Sequence, residues 1–359
     1  MIVSFLQFFA IYTMPYTDNS LFYALPVAFF ITVLLIPTLA PLAMRIGLTD
    51  APCNRRLHAS ETPLVGGITI FIGLMFAILI LDTSLSGYRA LFAGSALLLL
   101  VGVLDDFHEL SARFRFFYQV LAALLMTQWG GIAITDLGSL LGTESLPLGI
   151  WSVPFTVFCV VGVINAVNMI DGMDGLSGSI MLLTALLLAL LAFSVNQIDS
   201  ASILSLFAAS CAAFLVFNLR THLRKRIHVF LGDAGSMMGG YILCWFLIDL
   251  GQEPAQAYAP VTALWLFAIP IIDTVATMIG RVMRKKSPFS ADRTHLHHLL
   301  LSSGLSVTTT LLVILVAIVL LASVGILAEN HAIPEWIMTV AFLTISFIYL
   351  SVSNKHKLD

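Results

Sequence analysis

Eleven apolar stretches, each about as long as a membrane-crossing helix, divide the chain between residues 21 and 351. A helix that crosses a hydrocarbon layer of about 30 Å needs about 20 mostly apolar residues. The stretches are 21–44, 63–82, 89–104, 114–130, 148–164, 178–195, 200–217, 236–251, 257–281, 307–327 and 333–351. The count falls to ten if 89–104 or 114–130 is not a full span. We therefore predict an all-α, polytopic integral membrane protein with a single transmembrane domain over 1–359.

The charge content excludes the other classes of protein. Only 10% of the residues are charged and 59% are hydrophobic, whereas soluble domains are about 25% charged. A soluble fold of this length could not cover its core with so few charges. The net charge of -3 also excludes a nucleic-acid-binding surface, since such surfaces are strongly basic.

The distribution of Lys and Arg predicts the orientation. When the connections are assigned alternately to the two sides, sixteen of the seventeen cations fall on one side and only Arg89 on the other. Short cytoplasmic loops accumulate Lys and Arg, and a missed span would invert every later loop. We therefore expect eleven spans, with the N-terminus outside the cytoplasm and the C-terminus inside it. The polar loops on the cytoplasmic side, where the active site is expected, are 45–62, 105–113, 165–177, 218–235 and 282–306.

Three acidic motifs lie in these loops. Asp105 and Asp106 directly follow an apolar run, and adjacent carboxylates at a membrane interface are costly unless a cation or metal pairs with them. Asn168, Asp171 and Asp174 recur every three residues in NAVNMIDGMDG, and such hard oxygen donors suit Mg²⁺, or alternatively Mn²⁺, better than zinc. Simpler interpretations are a solvated helix end for the first motif and acids at a positive helix start for the second.

The third acidic motif is GDAGS, in which small residues surround Asp233. Small neighbours let backbone N–H groups approach a phosphate while the carboxylate holds a metal that the phosphate also contacts. The alternative is a plain helix N-cap formed by Asp233 or Ser236.

A histidine-rich segment, DRTHLHH, follows the last basic loop. Arg293, His295, His297 and His298 lie among cations, which favours an anion-binding surface over a zinc site. A positive-inside loop would account for the preceding Arg284, Lys285 and Lys286, but not for the histidines. Carboxylates for a divalent metal and basic groups for phosphate predict phosphoryl transfer, and the membrane setting predicts a lipid substrate.

Five motifs in this order, LVGGI, GVLDDF, NAVNMIDGMDGLSG, VFLGDAGS and SPFSADRTHLHH, resemble the polyprenyl-phosphate N-acetylhexosamine-1-phosphate transferases. The similarity extends from about Asp50 to His298. The form of the histidine motif is most similar to the branch that uses UDP-N-acetylglucosamine (UDP-GlcNAc) and undecaprenyl phosphate. The resemblance implies a bacterial cytoplasmic-membrane enzyme for the first lipid-linked step of cell-surface polysaccharide synthesis, such as O-antigen.

The resemblance also implies a role for each motif residue. Asp105 would deprotonate the lipid phosphate beside Asp106, Asp233 would bind Mg²⁺, and Asn168 with Asp171 would line the nucleotide and metal site. Asp174 would support that site. The histidines would hold the diphosphate and sugar phosphate. Basic residues of the family's loops correspond here to Arg113 or Arg115, and to Arg55, Arg56 or His58.

The expected reaction is attack of the lipid phosphate on the β-phosphorus of UDP-GlcNAc, which releases UMP. A lipid phosphate with a second pKa near about 6 is largely ionised at neutral pH, so Asp105 would chiefly orient it. Double displacement through a phospho-aspartate remains an alternative, as do other UDP-N-acetylhexosamines and UDP-MurNAc-pentapeptide as donors. A cation-coupled transporter that relies on the intramembrane Asp273 is a second class of function. The sequence leaves open whether the chain forms a homodimer.

Overall fold

The computed structural model describes residues 19–50, 61–142, 145–219, 227–288 and 294–355. In these ranges the chain is mainly helical, and its two short strands, β1 (Thr49–Asp50) and β2 (Thr62–Pro63), pair antiparallel. The candidate residues Arg55, Arg56, His58 and Arg293 lie outside the described residues.

Thirteen α-helices are present in the described ranges. They are α1 (Ser20–Ile46), α2 (Gly66–Ile78), α3 (Arg89–His108), α4 (Ala112–Leu124), α5 (Ser152–Ile170), α6 (Leu176–Ser194), α7 (Ile198–Asn218), α8 (Gly232–Asp249), α9 (Pro260–Leu266), α10 (Ala268–Met283), α11 (Leu296–Ser302), α12 (Val307–Asn330) and α13 (Glu335–Lys355). A 3-10 turn precedes α3 and another precedes α5, and a π turn (Leu125–Trp129) continues α4. The helices confirm the predicted all-α class.

Seven helical segments in the described ranges are long and apolar enough to cross a membrane, and α9 with α10 forms an eighth if the pair is one span bent by 81°. Three predicted spans do not meet this criterion. Over 63–82 the helix α2 has only 13 residues, and over 114–130 the helix α4 passes into the π turn. Over 236–251 the small and polar residues of helix α8 lower its hydropathy. Nearly all of its side chains are buried against other helices.

Helix α8 is the centre of the bundle, and nearly all its side chains are buried. It packs against α2, α3, α5 and α6. Its N-terminal turn approaches α3 so closely that a Cβ atom added at Gly102 would lie 2.3 Å from the Cα of Ala234. Small residues allow such backbone contacts between membrane helices. The tight packing brings the end of α3 beside the start of α8.

The outer helices present apolar side chains to their surroundings. Phe30 and Leu34 of α1, Leu320 of α12 and Phe347 of α13 are all more than half exposed. Apolar surface on this scale is normal where lipid, not water, surrounds a protein. These exposed apolar side chains and the long apolar helices together indicate a multi-pass membrane protein.

Candidate functional site

Asp105 lies near the end of α3 and is buried, with only 4% of its surface exposed. Its Oδ1 accepts a hydrogen bond from the backbone N–H of Leu110 at 2.7 Å, and its Oδ2 accepts one from Arg115 Nη1 at 2.9 Å. Arg115 reaches this position because Ser111 caps α4, which begins directly after the turn at Glu109. The charge-assisted contact to Arg115 offsets part of the cost of burying this carboxylate.

Asp106 makes a different contact, since its carboxylate caps the N-terminus of α8. It accepts hydrogen bonds from the backbone N–H groups of Asp233 at 2.8 Å and Ala234 at 3.3 Å. Gly232 has a φ of 76°, and a Cβ there would lie 2.5 Å from Oδ2 of Asp106. The glycine is therefore required both for the backbone conformation and for the close approach. A carboxylate also interacts favourably with the positive end of a helix.

The Asp233 carboxylate lies between α5 and α4. Its Oδ1 accepts a hydrogen bond from Asn168 Nδ2 at 2.5 Å, and its Oδ2 is 3.8 Å from Arg115 Nη1. Asn168 also donates to Ser236 Oγ at 2.9 Å. The side chain of Asp233 remains about one-third exposed, at 34%. A fixed and accessible carboxylate oxygen is the arrangement that a bound cation or phosphate-metal complex needs.

Asp171 follows the last residue of α5 and adds a further carboxyl group beside Asp233. Burial, together with the negative charges of Asp233 and Asp174, raises the pKa of Asp171 to about 8. Both charges that act on Asp171 are negative, so a cation at this point would strongly favour its ionised form.

Asn218 holds the loop after Asp171 in place, and sequence reasoning did not identify it. Its Oδ1 accepts from Gly175 N at 2.7 Å, and its Nδ2 donates to Val229 O at 2.9 Å. His228 lies alongside, with its Nε2 3.6 Å from Asp174 Oδ2 and 3.0 Å from Asn218 O. An asparagine at the end of an apolar helix carries no distinctive signal, so its role emerges only from the fold.

A histidine network lies next to this region and consists of Asp273, Arg281, His295 and Tyr349. Asp273 is 2% exposed, and its carboxylate contacts His295 Nδ1 at 2.8 Å. Tyr349 of α13 donates to the same carboxylate at 2.6 Å. The Nε2 of His295 lies 3.4 Å from Arg281 Nη2. The sequence singled out Asp273 only as the residue on which a transporter would rely, and did not connect it to Tyr349, which is 76 residues away.

His297 lies between His295 of the histidine network and Gly172 of the loop that carries Asp171. Its ring is completely buried, and a Cβ atom added at Gly172 would lie 2.6 Å from its Nε2. Burial, and then the neighbouring His298 and His295, lower the pKa of His297 to about 3. The ring of His298 lies 4.2 Å from that of His297 between centroids. The imidazole of His297 is therefore a neutral group beside the loop that carries Asp171.

The acidic motifs that the sequence predicted thus lie near one another in the part of the chain that the structure describes. We define the acidic cluster as Asp105, Asp106, Asp171, Asp174 and Asp233. Arg115 contacts Asp105 and Asp233, Asn168 contacts Asp233, and the loop that carries Asp171 adjoins His297. Arg113 is exposed, whereas Arg115 contacts two members of the cluster. Of the two arginines that the sequence left as alternatives, Arg115 is the one in contact with the cluster.

The donor chemistry of the acidic cluster fits a divalent cation such as Mg²⁺. The described residues contain no group of three His, Cys, Asp or Glu side chains arranged to hold a metal by themselves. Mg²⁺ commonly takes one or two protein carboxylates and completes its shell with water and substrate phosphates. Asp233 and Asp171, with the amide oxygen of Asn168, are oxygen donors of this kind, so the residues suit Mg²⁺ bound together with a phosphate ligand.

Comparisons with known proteins agree with this arrangement. Residues 88–251, which carry the acidic cluster, match glycosyl transferase family 4. An undecaprenyl-phosphate alpha-N-acetylglucosaminyl 1-phosphate transferase of Yersinia pestis is 36% identical over 308 residues, covering 86% of this chain and 84% of that protein. Its namesake from Haemophilus influenzae is 37% identical over 325 residues, covering 90% and 91%. The Escherichia coli K12 protein of that name is 35% identical over 322 residues, covering 89% and 88%. The resemblance in the motifs is thereby confirmed, and the chain belongs to glycosyl transferase family 4, together with these N-acetylglucosaminyl 1-phosphate transferases.

Proposed function

We propose that the protein transfers N-acetylglucosamine 1-phosphate from UDP-GlcNAc to undecaprenyl phosphate, which yields undecaprenyl-diphosphate-GlcNAc and UMP. The convergence of Asp105, Asp233 and Arg115 at the end of a membrane-embedded bundle is the observation that carries the proposal. Phosphoryl transfer depends mainly on positioning and on neutralising charge, and this region supplies both carboxylates and a guanidinium for these purposes.

The lipid phosphate acts as the nucleophile in the proposed reaction. One of its oxygens forms a bond to the β-phosphorus of UDP-GlcNAc, and the bond from that phosphorus to the bridging oxygen of UMP breaks. A phosphate monoester with a second pKa of about 6 is already ionised at neutral pH, so no strong base is needed. Asp105, fixed by Arg115 and by the backbone of Leu110, orients this phosphate.

The donor diphosphate lies beside the acidic cluster in this proposal. Bound Mg²⁺, or Mn²⁺ in its place, would supply positive charge for the diphosphate and for the leaving UMP. Asp233 and Asp171 are the carboxylates that would hold the ion, with Asn168 fixing the orientation of Asp233. His297, whose Nε2 faces Gly172, would contact the diphosphate there.

A single displacement and a double displacement differ in what Asp105 does. If Asp105 orients the lipid phosphate, Asp105→Asn abolishes turnover but keeps UDP-GlcNAc binding, and no phospho-enzyme forms from UDP-GlcNAc alone. Trapping a phospho-aspartate intermediate by mass spectrometry would support the double displacement instead. Near-normal turnover of Asp105→Asn would contradict a role for this residue in either scheme.

The placement in the membrane is also part of the proposal. Eleven membrane segments, with the N-terminus periplasmic and the C-terminus in the cytoplasm, place the acidic cluster on the side where UDP-sugars are made. The bias of sixteen among seventeen cations toward this side supports the orientation. The relatives are bacterial, which supports the cytoplasmic membrane as the location. Labelling of single cysteines introduced into the loops of intact cells tests the orientation.

The sugar is tested with purified protein in detergent. The protein is given undecaprenyl phosphate, Mg²⁺ and a panel of UDP-GlcNAc, UDP-N-acetylgalactosamine and UDP-MurNAc-pentapeptide, and UMP release is measured together with the mass of the lipid product. We expect UDP-GlcNAc to give the highest kcat/KM and a lipid product that carries one GlcNAc. Turnover of only another UDP-sugar would overturn the choice of donor, and release of UDP in place of UMP would overturn the reaction type.

A cation-coupled transporter is not favoured. Its key residue, Asp273, has its carboxylate occupied by hydrogen bonds from Tyr349, His295 and the backbone of Leu296. Family membership also points to a transferase.

A further inference from the structure

A buried carboxylate in α10 connects the last helix of the protein to the histidine motif. Oδ1 of Asp273 accepts hydrogen bonds from Tyr349 Oη at 2.6 Å and from the backbone N–H of Leu296 at 2.8 Å. Its Oδ2 faces Nδ1 of His295 at 2.8 Å. These contacts bring together α10, the first turn of α11, and α13. The carboxylate therefore contacts the start of α11 twice, through the ring of His295 and through the backbone of Leu296.

The same contacts determine which nitrogen of His295 carries the proton. An ionised carboxylate only accepts hydrogen bonds, so Nδ1 of His295 must be the donor to Asp273. The other nitrogen, Nε2, faces Nη2 of Arg281 at 3.4 Å, and a guanidinium only donates. Nε2 therefore carries the lone pair. Both nitrogens of His295 have partners in the protein, and its ring links the buried carboxylate to the buried guanidinium.

His297 is in the opposite situation. Both of its ring nitrogens are buried and have no hydrogen-bond partner among the described residues. Its ring is nearly parallel to that of His295, at 5.9 Å between centroids and 9° between planes, and its Nε2 faces Gly172. A buried polar group without a partner is costly, so such a group is expected to gain one from a ligand.

We propose that Asp273 and Tyr349 are positioning residues for the donor diphosphate. The pair holds His295 as its Nδ1–H tautomer and fixes the first turn of α11, which directs the ring of His297 toward the diphosphate of the nucleotide sugar beside Gly172. His295 is thus an anchor and His297 is the histidine that contacts the ligand. This inference rests on the proposed function, because that function supplies the donor.

Tyr349→Phe tests the inference, since it removes only the hydroxyl group from the network. The matched control is Tyr258→Phe, because the Oη of Tyr258 likewise donates a hydrogen bond inside the protein, to Leu247 O at 3.0 Å. KM is measured separately for UDP-GlcNAc and for undecaprenyl phosphate, along with the melting temperature. We expect Tyr349→Phe to raise KM for UDP-GlcNAc about tenfold, as for the loss of a hydrogen bond to a charged group. KM for the lipid should stay unchanged, and Tyr258→Phe should change neither constant.

A double-mutant cycle separates positioning from general stability. If Tyr349 acts through His297, adding Tyr349→Phe to His297→Gln should change KM for UDP-GlcNAc by less than about twofold. An undiminished tenfold effect in that background would overturn the inference, as would equal effects of the two tyrosine variants. These outcomes leave the proposed function intact. Wild-type protein that releases no UMP would overturn the proposed function, and the inference with it.

Discussion

The acidic cluster and the histidine network lie side by side, but they differ in how their charges are balanced. In the histidine network the carboxylate of Asp273 and the guanidinium of Arg281 are joined through the neutral ring of His295. In the acidic cluster five carboxyl groups lie near one another, and Arg115 and His228 are the basic groups described against them. Among the described residues, the charges of the first region face opposite charges, whereas carboxyl groups outnumber basic groups in the second.

This difference indicates that the two regions have different roles in the reaction. A region whose charges and hydrogen bonds are already paired is rigid and suited to orienting a substrate. A region rich in carboxyl groups is suited to binding a cation and, through it, a phosphate. We therefore assign the phosphoryl transfer to the acidic cluster and the orientation of the donor to the histidine network. The four predictions that follow test this comparison, in order of decreasing expected effect.

The largest effect is expected at Asp233. Asp233→Asn removes the accessible charge of the cluster while keeping the size of the side chain, so kcat should fall about 1,000-fold, as for loss of a main electrostatic contact to the transition state. Asp249→Asn is the matched control, because Asp249 lies at the other end of the same helix, α8. UMP release is the measurement. Similar losses in both variants would show that the effect comes from α8 and not from the acidic cluster.

A smaller effect is expected at Asp106, which we assign to helix capping. Asp106→Ala removes the acceptor for the N–H groups of Asp233 and Ala234, so the free energy of unfolding should fall by about 1 kcal/mol. Displacement of Asp233 should also lower kcat, by about 100-fold. Asp106→Asn keeps one acceptor oxygen and should restore part of both losses. If the asparagine variant has normal stability but no more activity than the alanine variant, the charge of Asp106 takes part in the reaction directly.

Arg115 should contribute less than either carboxylate. Arg115→Lys keeps the charge but not the planar geometry that reaches Asp105, so kcat/KM should fall about tenfold. Arg113→Lys, two residues away on the same helix, is the comparison. Because Arg113 is exposed, its replacement should change kcat/KM by less than about twofold. The reverse order would assign the catalytic arginine to Arg113.

The last prediction concerns stability and pH at His297, and not a change in kcat. The pKa of His297 is about 3 in the folded protein and 6.5 as an ordinary value, so folding favours the neutral ring. This contribution is present above pH 6.5 and is lost as the pH falls toward 3. Without divalent ions, wild-type stability should therefore fall more steeply below pH 6.5 than that of His297→Gln, by at most about 1.4 kcal/mol per pH unit. Parallel stability curves would contradict a buried neutral ring.

The sequence predicted the helical membrane fold and the grouping of the acidic motifs, because both are local signals. It did not reveal that Asp106 caps α8, since that contact joins residues 127 positions apart in the chain. It also could not choose between Arg113 and Arg115. Residues two positions apart on a helix lie on different faces, and only the packing of α4 against α3 decides which one faces the cluster.

The span count illustrates a different limit of the sequence. Hydropathy measures how well a helix suits lipid, but α8 is surrounded by other helices and packs through its small residues. Its Gly and Ser residues lower the hydropathy of the segment for this reason. Tyr349 was missed because an isolated tyrosine in an apolar helix has no local signature, and its partner Asp273 lies in another helix.

Cation binding to the acidic cluster tests the central claim most directly. Mn²⁺ binding is measured by electron paramagnetic resonance in the presence of UDP-GlcNAc, for the wild-type protein, Asp233→Asn and Asp249→Asn. The account predicts one tightly bound Mn²⁺ in the wild type and in Asp249→Asn, and its loss in Asp233→Asn. Equal Mn²⁺ binding by all three proteins would contradict the assignment of the cation to the acidic cluster.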